Sequence, residues 1–331
     1  KMDFEIFCYY NNNYDDKETF KLKENSTFWR NIFLKSDEYV VNIIKQDKID
    51  ILVDLNGHTA GNRLGVFKKR AAFKQITWLG YPNTTGLKNM DYRFTDNFAD
   101  PINTNDKFYT EILYRLPNSF LCYSNGIDAK ISNEIPYVNN GFLTFGSFNN
   151  LNKINSTTIE LWSKILLLMP NSKLMLKSPA NQSDDLKNRL IEKFASYGAD
   201  ANQLIFEGRT EEKEKHLEMY NLVDVALDTF PYNGATTTFE ALLMGVPVIT
   251  LCGDKHVSRV SNSILRNLSL DEFVANTKKE YINIAYSQLK NIKKLEYLKK
   301  NLRLKLLNSS LCDEIQFTKN IEDAYKEILN D

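Results

Sequence analysis

Short apolar runs alternate with stretches of helical spacing along this chain. Residues 4–10 (FEIFCYY) read as a strand, and Asn11 to Asp16 as a polar turn. Within 37–47, Tyr39, Val40, Ile43 and Ile44 recur at helical spacing. IDILVDL (49–55) is a continuous apolar run with β-branched content, the pattern of a strand buried on both faces. QITWLG (75–80) repeats it. This strand–helix–strand rhythm predicts a parallel sheet with crossover helices.

From Ser124 to Gly141 the pattern fades into a polar segment with Gly, Pro and paired Asn, the best candidate for a boundary. Beyond it the rhythm resumes. Strands are predicted at 142–148, 172–177, 203–208, 224–229 and 246–251, with helices at 156–169, 183–197, near 211–221 and near 236–244. The last fifty residues read as nearly all helical, ending in an amphipathic helix over about 313–329. The α/β class therefore takes the form of two sheets in tandem: a first lobe over 1–125, a linker over 126–140 and a second lobe over 141–331. The first lobe opens directly on a strand and is expected to be short by at least one. No helical-hairpin repeat is visible.

Composition narrows the function. Among 331 residues, Lys+Arg and Asp+Glu are 42 each, so the chain lacks the basic excess of a dedicated nucleic-acid binder. Hydrophobic residues at 43% and charged residues at 25% are ordinary globular usage. No run approaches the ~18 apolar residues of a membrane span, and the opening KMDFEIFCYY is no secretory signal. Cys8, Cys122, Cys252 and Cys312 are far apart without CxxC spacing and read as reduced thiols. A cytoplasmic protein is expected.

In open α/β sheets, ligands bind beyond the carboxyl ends of the strands. The residues that follow strands here include Asp54 and His58, Gly80 and Tyr81, Asn149, Asn150 and Lys153, and the run from Asn233 to Thr238. The three histidines, His58, His216 and His256, have no metal-ligand spacing. DTFPYNGATTTFEALLMG (228–245) is the most informative segment. A strand ends at Asp228, and a Gly-containing turn leads into a helix that opens with Thr236, Thr237 and Thr238. Such a helix start can hold a phosphate, and Glu240, one turn in, can accept ribose hydroxyls. An ordinary threonine N-cap with a solvated glutamate is the plainer alternative. Neither GxxxxGK[ST] nor GxGxxG occurs. Lys153 can neutralise a leaving pyrophosphate or be one surface lysine among many. Asp54 can orient His58, act as a base, or cap a helix.

Three long segments go further: the stretch 50–96 containing DILVDLNGHTAGNRL and WLGYPNTTG, GFLTFGSFNNLNKI (141–154), and GRTEEKEKHLEMYNLVDVALDTFPYNGATTTFEALLMGVPVITLCGDKHVSRV (208–260). They resemble the protein O-linked N-acetylglucosamine transferase and SPINDLY family over nearly the whole chain, and the bacterial members look most similar. The resemblance implies a GT-B fold, two Rossmann-like lobes facing a cleft, with a nucleotide-sugar as substrate and no metal or other cofactor. Position by position, it assigns Lys153 to the donor phosphate and Asn150 to a phosphate contact. Lys213 and His216 fall to the nucleotide, Thr236 to Thr238 to the pyrophosphate, and Glu240 to the ribose. His58 and Asp54 fall on the acceptor side.

The chain departs from the family pattern at Ala235, where most members have His or Thr near the sugar, and at Met219, which replaces a nucleotide-contacting Arg. The family's first strand, its His-Pro motif and its helical repeats are expected to lie outside this sequence. The activity implied is inverting transfer of N-acetylglucosamine from UDP-N-acetylglucosamine to Ser or Thr of a protein acceptor. GDP-fucose or UDP-glucose as donor, and a non-catalytic nucleotide-binding or scaffold fragment, remain the alternatives.

Overall fold

The computed structural model describes residues 4–124, 126 and 128–331. Lys1 to Asp3 and Asn125 of the expected first lobe, and Ile127 of the expected linker, lie outside the described residues. In chain order the first half contains β1 (Phe7–Tyr10), α1 (Lys17–Asn25), β2 (Phe28–Asn31), α2 (Asp37–Gln46), β3 (Ile51–Asp54), α3 (Leu64–Lys68), β4 (Lys74–Thr77), β5 (Tyr92–Thr95) and β6 (Ile112–Arg115). Then follow α4 (Pro136–Asn140), β7 (Thr144–Ser147), α5 (Ser156–Leu168), β8 (Lys173–Lys177), α6 (Asp184–Ser196), β9 (Leu204–Glu207), α7 (Lys213–Glu218), β10 (Val225–Leu227) and α8 (Thr236–Leu243). The chain closes with β11 (Val248–Leu251), α9 (Val260–Asn267), β12 (Val274–Ala275), α10 (Lys278–Ser287), α11 (Ile292–Leu307) and α12 (Glu314–Asn330).

Two compact units emerge. One comprises Lys1–Phe94, Lys107–Tyr114 and Tyr325–Asp331, and the other Thr95–Asp106 and Arg115–Ala324. This division differs from one at 1–125 and 141–331, for a chemical reason. Buried Asp96 accepts from the Ser263 hydroxyl at 2.6 Å, and buried Asp100 bonds His256 Nδ1 at 2.7 Å, so 95–106 packs with the second unit. The 126–140 segment is likewise tied there. Ser132 N donates to Asn221 at 2.9 Å, Tyr137 N donates to Asp224 at 2.9 Å, and Arg303 donates to Ala129 O at 2.7 Å.

In the first unit, β1 and β2 form a separate parallel pair, and β3-β4-β5-β6 form a second sheet. The side chain of Ser36 caps α2 by accepting from Tyr39 N, which satisfies one of the orphan donors of the first turn. Val40, Val41 and Ile44 then face Leu52, Phe67 and Met90 in the core. Burying each such side chain is worth about 1.5–3 kcal/mol.

The second unit is a six-stranded sheet in the order β12-β11-β10-β7-β8-β9, with every paired neighbour parallel. Helices cover both faces of such a sheet, so its strands are mostly apolar. Thr144–Ser147 and Val248–Leu251 are buried at every position. Among the described residues, no helix is long and apolar enough to cross a membrane.

Candidate nucleotide-sugar site

β7 and β10 are the first and fourth strands of the second unit, and they lie side by side at its centre. The chain runs outward in opposite directions from this pair, so their carboxyl ends diverge into a crevice, the usual ligand position in doubly wound sheets. A small pocket opens there between Ser147 at the end of β7, Phe148 and Asn149 beyond it, Leu227 at the end of β10, Asp228 beyond it, and Thr237 of α8.

Asp228 organises this crevice. Its side chain is buried, and Oδ1 accepts from the backbone N–H of Gly234 at 2.7 Å and of Thr229 at 2.9 Å. Oδ2 accepts from the Thr250 hydroxyl at 2.8 Å. Burial raises its carboxyl above the usual range, and the Gly234 N–H, the Ser261 and Thr250 hydroxyls and Lys153 pull the other way. The Asp228 carbonyl accepts from the Tyr281 hydroxyl at 3.0 Å, and that hydroxyl accepts from Trp162 Nε1 at 3.0 Å. The loop is thus anchored to the core. Gly234 has no room for a side chain: a Cβ there would lie 2.5 Å from the Thr237 hydroxyl and 2.8 Å from that of Thr238.

The threonines at the start of α8 divide their work. Thr238 is buried and bonds the Ser261 hydroxyl at 2.9 Å, Thr237 donates to Asn149 Oδ1 at 3.2 Å, and Thr236 is exposed. Ala235, at the N-cap, provides no side-chain acceptor. Thr238 N and Phe239 N donate to the Ala235 carbonyl at 3.0 and 3.1 Å, so the N–H groups of Thr236 and Thr237, with the positive helix end, are the ones suited to an anion. Lys153 closes the arrangement from the turn after β7. Its Nζ donates to Asn233 O at 2.9 Å and sits 4.2 Å above the Tyr232 ring. Burial lowers the Lys153 pKa, while the Asp228 carboxylate opposes that shift.

His216 and Glu240 meet, with His216 Nε2 3.2 Å from Glu240 Oε2. On the other side of the ring, Lys177 Nζ lies 2.9 Å from Nδ1. The Tyr220 hydroxyl donates to Thr237 O at 3.2 Å and lies 3.5 Å from Glu240 Oε2, and its ring stacks on Phe148 at 4.0 Å. Two expected residues stand apart from this network. The Asn150 oxygen accepts from Asn152 N at 3.0 Å and so caps its own turn, while Lys213 is exposed at the start of α7.

The acceptor-side candidates lie in the first unit. Asp54 is buried at the end of β3. It accepts from Asn56 N at 3.1 Å, Gly57 N at 2.9 Å and the Thr77 hydroxyl at 2.8 Å. Register places Thr77 directly opposite Asp54. The carboxylate thus holds the loop that carries His58. The His58 ring is exposed, and its Nε2 donates to Thr85 O at 2.9 Å, which leaves the lone pair on Nδ1. Gly57 has φ 55°, and a Cβ there would fall 2.3 Å from Tyr81 Cβ, so the loop demands glycine. Among the described residues, no group of three or more His, Cys, Asp and Glu is placed to hold a metal ion.

The profile of glycosyl transferase family 41 matches residues 1–126 and 131–321. The chain belongs to this family. In the family 41 chain, 93% of the length aligns at 41% identity with a Hordeum vulgare protein named as a probable UDP-N-acetylglucosamine–peptide N-acetylglucosaminyltransferase SPINDLY, of which it covers 32%. The counterpart from Oryza sativa subsp. japonica is 40% identical over the same share, with 33% of it covered. A mutant O-GlcNAc transferase of Thermobaculum terrenum superposes with a TM-score of 0.93 at 36% identity, covering 98% of this chain and 61% of that one. The fold is accordingly GT-B. The chain spans about a third of the length of the curated relatives it matches.

Three residues of this candidate site are not among the sequence candidates. Lys177 only closes a predicted strand, Asp228 only ends one, and Tyr220 only falls within a predicted helix. Position at the carboxyl end of a buried strand was the available signal for the first two.

Proposed function

We propose that the protein carrying this chain transfers N-acetylglucosamine from UDP-N-acetylglucosamine to a Ser or Thr hydroxyl of a protein acceptor, with inversion and without a metal. The observation that carries this reading is that, in a family 41 chain, Lys153 bonds the Asn233 carbonyl in the loop leading into α8, no side chain caps the start of that helix, and Glu240 one turn in is held by His216. Glu240 accepts the ribose hydroxyls, and the first turn of α8 receives the diphosphate. As the bond from the anomeric carbon to the diphosphate oxygen breaks, negative charge grows on that oxygen. Lys153 and the helix end stabilise it more in the transition state than in the bound donor. The acceptor oxygen attacks the anomeric carbon and gives its proton to a base. His58, with Nδ1 free, fits that role better than Asp54, whose oxygens are engaged by the loop. Free cysteines at all four positions support a reducing, cytoplasmic setting.

Transfer of labelled sugar to protein by the full-length gene product, in excess EDTA, tests the reading. Calorimetry with UDP and GDP in parallel tests the nucleotide. Glu240→Ala is expected to weaken UDP by about 1.5–3 kcal/mol, the range for a hydrogen bond to a charged group. Nucleotide binding without transfer would leave a binding module, and preference for GDP would point to a different donor.

A further inference from the structure

Lys177 is buried at the end of β8, and its ammonium has two neutral partners, the Thr210 hydroxyl at 3.2 Å and His216 Nδ1 at 2.9 Å. Taking an ammonium out of water to meet neutral groups costs stability that an apolar residue of the same length would not. Burial lowers the Lys177 pKa, with Glu240 and Glu207 opposing. The geometry of the ring between Lys177 and Glu240 shows what the cation does. An ammonium has only protons to give, and a carboxylate only accepts. A neutral imidazole with its proton on Nε2 satisfies both neighbours, whereas a proton on Nδ1 would point at another donor.

We infer that Lys177 is a positioning residue for nucleotide recognition: it locks His216 in the Nε2–H tautomer, which pins Glu240 Oε2 and leaves Oε1 for a ribose hydroxyl. This inference rests on the nucleotide reading of the site. The ring has little freedom to escape by rotation, because Phe148 meets it edge-on at 5.7 Å and Tyr220 at 6.2 Å. Without the ammonium, the Nδ1–H tautomer turns a lone pair toward the carboxylate, and Glu240 loses its anchor.

The test uses Lys177→Met and Lys177→Arg, beginning with ¹⁵N spectra of the His216 ring in nucleotide-free protein. The wild-type ring is expected to be the Nε2–H form and the Lys177→Met ring a mixture. By calorimetry, Lys177→Met should bind UDP about tenfold more weakly, with Lys177→Arg restoring most of the loss. In a Glu240→Ala background, Lys177→Met should add little further loss, as coupled residues behave. A wild-type ring protonated on Nδ1 overturns the inference, even if Lys177→Met fails to fold. So does a Lys177→Met protein with native UDP affinity. Wild-type protein that binds no UDP would remove the nucleotide reading, while the free-protein spectra would still decide whether Lys177 sets the tautomer.

Discussion

The two candidate regions are built on opposite plans. In the second unit the functional groups hang from buried supports: Asp228 on Tyr281 and Trp162, Thr237 on Asn149, Glu240 on His216 and Lys177. In the first unit a buried carboxylate and a glycine shape a loop, and the one reactive side chain on it, His58, stands in solvent. On the proposed reading, the second unit takes a nucleotide-sugar, a single defined ligand, and a preorganised pocket would lower the cost of binding it. The proposed protein acceptors would vary, and an exposed group on a shaped loop would accommodate them.

The contrast breaks first at His58. His58→Ala is expected to reduce kcat of the full-length protein by 10²–10⁴-fold, on the order typical of a lost general base, with UDP affinity and thermal midpoint unchanged. A shifted midpoint would make the loop a structural element like the other site. Next is Lys153→Ala, for which kcat should fall on the order of 10²–10³-fold while donor affinity falls far less. Equal losses in donor affinity and kcat/KM, with kcat preserved, would limit Lys153 to ground-state binding.

A third effect concerns the support of the second unit. Lys299 donates to Asn221 and Met244 O at 3.0 Å each, and burial lowers its pKa to about 8, with Asp224 opposing. A depressed folded pKa contributes stability that is present above the unfolded value, near 10.4, and lost as pH falls through about 8. Burial raises Asp224 to about 6, so its contribution is present below the unfolded value, near 3.9, and lost as pH rises through about 6. Urea titrations of wild type and Lys299→Met should therefore differ in slope: between pH 8 and 10.5 wild-type stability should gain about 3 kcal/mol relative to the variant, as the penalty of the buried ammonium fades. The smallest expected effect is Gly57→Ala, about 1–2 kcal/mol of stability. It should act on the first unit alone and leave UDP affinity as it was.

The sequence was legible where strands are buried on both faces. Thr144–Ser147, Lys173–Lys177 and Val248–Leu251 stand out because they lie in mostly apolar runs, the composition that burial on both faces favours. The strands Phe28–Asn31, Tyr92–Thr95 and Ile112–Arg115 carry arginines that mask them, and Arg93 is nonetheless buried. Helix α1 was hidden because its face is mostly charged. At the site, Thr237, His216 and Glu240 were visible by position after strands. Lys177 was not, because a lysine closing a strand looks identical whether it reaches water or an imidazole. Asn150 shows the converse, since a side chain in the expected place turns back to cap its own turn.

The central placement of β7 and β10 also bears on local opening. Amides in the middle of a six-stranded sheet exchange with solvent only when the sheet comes apart, whereas a two-stranded pair such as β1 and β2 can open by itself. Hydrogen exchange at Gly146 and Ala226, paired across these strands, should report the global unfolding free energy of their unit. The strands that frame the crevice therefore open only with their unit: a destabilised variant would lose folded molecules, and on the proposed reading those still folded would bind nucleotide with native affinity.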